Sequence, residues 1–270
     1  MEKAYLIYER EDSKKNTIFI EQMIAAARGV EIELILAIAD EIEQNIMDIP
    51  FNGALFVWNR TRNPEIAKKL ESIGIKVFNR STVNELANNK KETLKFAHLH
   101  GIPTVPILRE EQIQQYPIII KTIDGHGGNE VALCNSSEDL KFFQLKWRGR
   151  KLLTQPYIET NSTDVRVWVV GSKIIGAVKR KGSHDFRSNY TLGGSIEKYN
   201  LSHEQRLQVL TLQKALNSNY IGIDFLLRPD GKWLLNEIED PVGARSFYNL
   251  YDEDLPTILM DYFVQELEGL

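Results

Sequence analysis

The chain has 270 residues, of which 43% are hydrophobic and 26% charged, the balance of a globular protein long enough to bury a substantial core. A formal net charge of −4 argues against a general nucleic-acid binder, which needs a basic face, yet leaves room for a local basic cleft. One cysteine, Cys134, excludes an intrachain disulfide and fits a reducing compartment.

The opening stretch MEKAYLIYERED lacks the long apolar run of a signal peptide, and no later run approaches a membrane span. The expectation is a cytoplasmic protein without a membrane partner. KAYLIYE (Lys3–Glu9) reads as a strand, and Ile18, Phe19, Met23, Ile24 and Ala27 keep helical spacing across 16–28. VEIELILAIA (Val30–Ala39), GALFVWN (Gly53–Asn59) and IKVFN (Ile75–Asn79) are further strand candidates. Before the last of them, NPEIAKKLESIG places Pro64 near a helix start and Gly74 at its end. Strands separated by helical segments predict a small doubly wound parallel sheet. No G-x-G-x-x-G follows any of these strands, so a Rossmann cofactor site is not expected.

Residues 83–101 read as helix, and Pro103 and Pro106 in IPTVPI break it. The pattern then turns to strand, loop and helix through YPIIIKTIDGHGGNEV, followed by KLLTQPYIE and DVRVWVVGSKIIGAVKRKG. A helix across 202–218, the apolar hairpin GIDFLLRPDGKWLLNEIED, and a final helix face (Leu255, Ile258, Leu259, Tyr262, Phe263, Leu267) complete the chain. Boundaries near 88 and 152 divide it into an N-terminal α/β lobe (1–88), a central lobe (89–152) and a C-terminal lobe (153–270).

Four constellations can carry chemistry. An apolar strand delivers Lys121 to a loop holding Gly125, Gly127 and Gly128, whose backbone N–H groups can approach phosphate oxygens. The same residues also suit an ordinary glycine-rich turn, and there is no G-K-[ST] of a Walker loop. LLTQPYIE resembles a hinge whose backbone reads a base edge while Tyr157 and Ile158 flank the ring; a buried strand ending at Pro156 is the plainer account. Lys179, Arg180, Lys181 and Arg187 cluster in an otherwise acidic chain, with Ser188 and Asn189 beside them, as a phosphate site or a solvated face; His184 among them is more often neither ligand nor acid.

The hairpin is the sharpest case, because carboxylates are normally kept out of buried strands. Glu237 and Glu239 lie two apart and share one face. A two-residue turn at Asp230–Gly231 would set Asp224 opposite Glu237, within reach of one cation, although Pro229 also allows a longer loop. Oxygen ligands suit Mg²⁺; the competing account is salt bridges to Arg166, Arg180 or Arg187.

In order and spacing, this set resembles the ATP-grasp superfamily, and within it the RimK-like amino-acid ligases, over roughly 75 to 245. The resemblance rests on NKKETLKFAHLHGIPTVP, IIIKTIDGHGGNEV, LLTQPYIE, DVRVWVVGSKIIGAVKR, DFRSN with a downstream GGS, GIDFL and NEIE. It implies an α+β fold that grips ATP between two lobes behind an N-terminal sheet. Lys90, with Lys91 as its competitor, and Lys121 would reach the phosphates, and Gly125, His126, Gly127 and Gly128 would close over them. Gln155, Tyr157 and Ile158 would hold adenine, and Asp164 the ribose. Asp224, Glu237 and Glu239 would bind Mg²⁺, with Mn²⁺ as an alternative, while Arg180, Arg187 and Asn189 would steady the transferred phosphoryl group.

The implied reaction joins a carboxylate to an amine through an acyl phosphate, releasing ADP and phosphate; its partners would be small-molecule or peptide substrates, with no nucleic acid and no oligomer singled out beyond a homo-oligomer. Glu239 stands where close relatives have asparagine, and DPVGARS replaces their small-residue SPG pattern, so Arg245 and Ser246 would shape a different substrate pocket. Trp58, Asn59, Arg60 and Arg62 follow a strand and are expected to face the acceptor, or to form a solvated loop. Rival readings are an ATP-binding regulatory or scaffold protein without turnover, and a phosphotransferase with a hydroxyl acceptor.

Overall fold

The computed structural model describes residues 1–44, 51–182 and 194–269. Its elements run β1 (Glu2–Tyr8), α1 (Arg10–Lys15), α2 (Thr17–Gly29), β2 (Ile32–Ile38), α3 (Ala39–Gln44), β3 (Val57–Asn59), α4 (Pro64–Ser72), β4 (Val77–Phe78), α5 (Ser81–Ala87) and α6 (Lys90–Leu99). They continue with β5 (Ile118–Thr122), β6 (Val131–Cys134), α7 (Ser137–Lys146), β7 (Leu152–Pro156), β8 (Thr163–Val170), β9 (Lys173–Lys181), β10 (Ser195–Lys198), α8 (His203–Leu216), β11 (Tyr220–Leu227), β12 (Trp233–Glu239), α9 (Arg245–Tyr248) and α10 (Leu255–Glu268). None of the described helices is long and apolar enough to cross a membrane.

The fold is α+β, with three sheets. The first is parallel, in the order β2-β1-β3-β4, as the alternation of apolar runs and helices predicts. Polar punctuation sets its helix ends: the Asn63 side chain accepts from Glu65 N at the start of α4, and Asn89 does the same for Glu92 N at α6. The second sheet, β6-β5-β7, is antiparallel. Because β7 pairs with β5 from Leu152 to Pro156, the boundary expected at 152 cuts through a strand, and the ladder carries the central sheet four residues further. The third sheet, β10-β9-β8-β11-β12, is antiparallel around the wholly buried β8.

One large core joins the first and third sheets. Trp58, Phe78, Trp168, Tyr220 and Phe263 meet in it, with Phe78 and Phe263 stacked at 4.3 Å. Trp58 and Asn59 therefore do not face a substrate or solvent as expected: both are buried, Trp58 among aromatic rings and Asn59 accepting from Thr61 N and Oγ1. Arg60 is buried too, its guanidinium over the rings of Tyr8, Phe19, Trp58 and Tyr220 and donating to Val242 O at 2.8 Å. Arg62 of that group lines a cavity.

Candidate active site

A cleft opens between the second and third sheets. Among the sequence-predicted site residues, Lys90, Lys121, Gly125, His126, Gly127, Gly128, Gln155, Tyr157, Ile158, Asp164, Arg180, Asp224, Glu237 and Glu239 line it. Arg187 and Asn189, in the DFRSN motif, lie outside the described residues, as does His184. Lys91 is exposed and does not line the cleft.

The carboxylates reach the cleft through a bulge. Near the turn, Leu227 pairs with Trp233 and Phe225 with Leu235, but Asp224 pairs with Glu237, leaving Asn236 unpaired. Strict alternation would put Glu237 and Glu239 on the face of Trp233 and Leu235, which is core. The extra residue reverses that parity, so Ile238 turns inward and the two glutamates turn to the cleft. The turn itself is a three-residue loop, Pro229–Gly231, closed by Arg228 N donating to Lys232 O and Gly231 N to Arg228 O, and not the expected Asp230–Gly231 pair. The opposition of Asp224 and Glu237 thus arises from a longer loop plus a bulge. Bulged Asn236 accepts from Lys121 Nζ at 2.9 Å, a role that sequence reasoning did not assign; its one signal is an amide between Leu235 and Glu237 in an apolar strand.

Asp224, Glu237 and Glu239 bring carboxylate oxygens within 4.8 Å of one another. Among the described residues, Arg166, Arg180 and Lys90 form ion pairs with them. Arg166 donates to both oxygens of Asp224 at 2.8 and 2.7 Å, and Arg180 adds a bond of 2.9 Å. Arg166 also reaches Glu239 at 2.5 Å, and Lys90 reaches Glu237 at 3.1 Å. The salt-bridge account and the cation account are therefore both visible in one cluster. Asp224 is buried, and although burial pushes its carboxyl up, the two arginines hold it down at about 2. Burial likewise opposes ionisation of Glu237, but Lys90 and Lys121 keep its carboxyl below the ordinary range. Glu239 goes the other way, raised by burial and by the charges of Asp224 and Glu237. With three charge-assisted bonds already on Asp224, Glu237 and Glu239 hold the freer lone pairs, and this all-oxygen donor set fits a hard divalent cation.

Arg180 and Asp164 line the cleft as a pair: Arg180 Nε and Nη2 each lie 2.6 Å from an Asp164 oxygen. Each offsets part of the other's charge, and Arg180 also donates to Asp224. Gln155 donates to Val105 O at 3.2 Å. Val105, Ile119, Val131 and Leu226, none of them singled out from sequence, join Ile158 as apolar walls, suited to a planar ring.

The glycine loop joins β5 to β6. Gly127 and Gly128 hold φ of 68° and 75°, a region that excludes most side chains. A methyl on Gly125 would overlap Thr122 Oγ1 and Glu130. Arg150 staples the loop's neck, donating to Asp124 at 2.8 Å and to Glu130 at 2.7 and 3.1 Å, while Thr122 Oγ1 donates to Glu130 at 2.8 Å. Lys90 Nζ donates to Gly125 O from the other side. Lys121 is buried, and desolvation lowers its amine to about 8, with Lys90 adding to the fall and Glu237 opposing it.

Residues 86–262 match a family model described as a RimK-like ATP-grasp domain. The chain is 27% identical over 252 residues to the uncharacterized protein MG011 of Mycoplasma genitalium, covering 92% of this chain and 87% of that protein. It is 26% identical over 228 residues to a "Probable alpha-L-glutamate ligase" of Saccharophagus degradans, covering 79% and 74%. Among solved structures, D-alanine–D-alanine ligase from Bacillus anthracis, complexed with ATP, superposes with a TM-score of 0.76 at 15% identity, covering 99% of this chain and 98% of that one.

Proposed function

Because the chain belongs to the RimK-like ATP-grasp family, we propose that it is an ATP-dependent ligase that joins a carboxylate to an amine and releases ADP and phosphate. The observation that carries this reading is the convergence, in one cleft, of a glycine loop, two lysines and three carboxylates. A carboxylate oxygen of the first substrate attacks the γ-phosphorus of ATP, and ADP leaves. The amine then attacks the acyl carbon of the resulting acyl phosphate, phosphate leaves and the nitrogen loses a proton.

The chain's contribution is position and charge. Lys121 and the N–H groups of the glycine loop hold phosphate oxygens, and the apolar walls hold the base. Asp224, Glu237 and Glu239 would hold Mg²⁺ or Mn²⁺, which when bound offsets phosphate charge and orients the oxygens. Arg187 and Asn189 belong to the same proposal as groups for the transferred phosphoryl. The deciding experiment supplies Mg·ATP with carboxylate and amine mixtures and identifies the products. Acceptor-stimulated ADP and phosphate support a ligase, AMP and pyrophosphate count against it, and tight ATP binding without stimulated turnover supports a regulatory protein.

Two expectations follow from the phosphate side. Lys121 attracts phosphate only when protonated, and its amine in the free protein sits at about 8. The apparent kcat/KM for ATP is therefore expected to be flat below that pH and to fall as pH rises through it, since this parameter reports free-enzyme groups. Lys121→Met should remove that limb of the profile. Arg150→Ala should raise the KM for ATP several-fold, with an effect that shrinks in high salt because the staple is partly exposed. An unchanged KM at low salt would show that the loop's shape does not depend on its neck.

A further inference from the structure

Asp240 is a buried acid that follows Glu239 directly and stands outside the cluster of Asp224, Glu237 and Glu239. Three asparagine amides of the N-terminal lobe bond to it. Asn79, between β4 and α5, donates to Oδ1 at 3.0 Å, and Asn84, within α5, donates to Oδ2 at 3.0 Å. Asn88, just after α5, donates to the main-chain oxygen at 2.7 Å. An ionised aspartate offers an acceptor to each of these donors. An asparagine would turn an N–H₂ group toward Asn79 or Asn84, donor against donor in a buried place. Neither neighbour can rotate to answer it freely, because Asn79 also holds Tyr220 O at 2.7 Å and Asn84 holds Thr61 O at 2.9 Å.

The same lobe fixes both strands of the hairpin at the end far from its turn. On β11, Asn79 Oδ1 accepts from Tyr220 N at 3.0 Å. On β12, Glu239 is the last residue of the ladder, opposite Gly222. A side chain on Gly222 would overlap Val242, which folds back over that pair. Arg60 then donates to Val242 O at 2.8 Å, and Trp168 to Gly243 O at 3.1 Å. The chain is thus held on both sides of its exit from the sheet, and Asp240 carries most of the bonds.

We propose that Asp240 is a positioning residue for the cation site, through which Asn79, Asn84 and Asn88 set where Glu237 and Glu239 stand. Asp240 acts through its neighbours on β12, since its own side-chain oxygens face the two amides. The inference rests on the ligase reading only in taking the carboxylate cluster to hold a divalent cation. It makes the N-terminal lobe part of that site through Asn79 and Asn84, two side chains that supply no ligand.

The test is calorimetric titration with a non-hydrolysable ATP analogue, with and without Mn²⁺, beside thermal unfolding. Mn²⁺ is expected to tighten analogue binding to the parent at least about ten-fold. Asp240→Asn and Asn84→Ala should each remove most of that gain, the scale of losing a bond that orients a metal-bound carboxylate, about ten-fold or more. Metal-free affinity should stay near the parent's. Ile66→Ala, in the buried face of α4 in the same lobe, should lower the unfolding temperature and keep the gain. Should the two main variants fail to fold, Asn88→Ala decides, because this half-buried amide holds Asp240 O and spares the side-chain pairs. A full gain in any folded Asp240 or asparagine variant, or an equal loss in Ile66→Ala, would overturn the proposal. A parent whose affinity Mn²⁺ leaves unchanged would instead remove the cation reading, and this proposal with it.

Discussion

Glu237→Gln is expected to lower Mg·ATP turnover by about 10²-fold or more, the scale seen when one preorganised electrostatic contact to a reacting phosphate is removed. Glutamine keeps the shape and one acceptor oxygen but loses the negative charge that makes the cluster attractive to a divalent cation. Stability should hardly move. Glu237 is about a quarter exposed and, among the described residues, its one ion pair is the 3.1 Å contact with Lys90, which solvent screens to at most about 1 kcal/mol. Lys90 keeps a second acceptor in Gly125 O. Phosphate release over a range of Mg²⁺ concentrations, alongside thermal unfolding without nucleotide, checks both halves. Parent-like turnover would take Glu237 out of the cation site.

Asp224→Ala is expected to have the opposite balance, with a cost in stability of about 3 kcal/mol as well as lost turnover. Asp224 is 3% exposed and neutralises Arg166 and Arg180, both buried. Removing one partner from such a network leaves charge uncompensated in a poorly solvated place, at a cost of about 3–5 kcal/mol. Glu239 and Asp164 still face the two arginines, which places the effect at the lower end. The pH dependence has a definite sign. With a carboxyl held at about 2 against an ordinary 3.8, Asp224 stabilises the fold fully above the ordinary value and loses that contribution as pH falls toward 2. Urea unfolding across this window should give a shallower acid limb for Asp224→Ala than for the parent. Equal limbs would mean that the arginines do not depress this carboxyl.

The two variants also show what the sequence made legible. Asp224, Glu237 and Glu239 stand out as acids in apolar strands, and their convergence follows from hairpin pairing. The route does not follow, because a bulge at Asn236 has no local composition signal and strict alternation would bury Glu237 with Trp233 and Leu235. Arg166 was legible only as a competing explanation, since its contact with Asp224 spans 58 residues of sequence. The parallel first sheet was readable from apolar runs and helix caps. Its strands are shorter than the runs: Gly53–Asn59 narrows to Val57–Asn59 and Ile75–Asn79 to Val77–Phe78. Position after a strand gave the wrong environment for Trp58, Asn59 and Arg60, because the third sheet and the last helix pack over that strand end. The Arg150 staple was equally hidden, being built from partly exposed residues 20 and 26 positions from their partners.

The packing of α10 bears on how the protein is made. Phe263 lies against Phe56, Trp58 and Phe78, so the aromatic centre of the first sheet is capped by a segment translated long after it. Until Leu255–Glu268 leaves the ribosome, the first ninety or so residues can form their parallel strands but not bury that face. Until then the nascent N-terminal lobe carries an uncovered aromatic face. A premature stop before Leu255 would damage the beginning of the chain as much as its end.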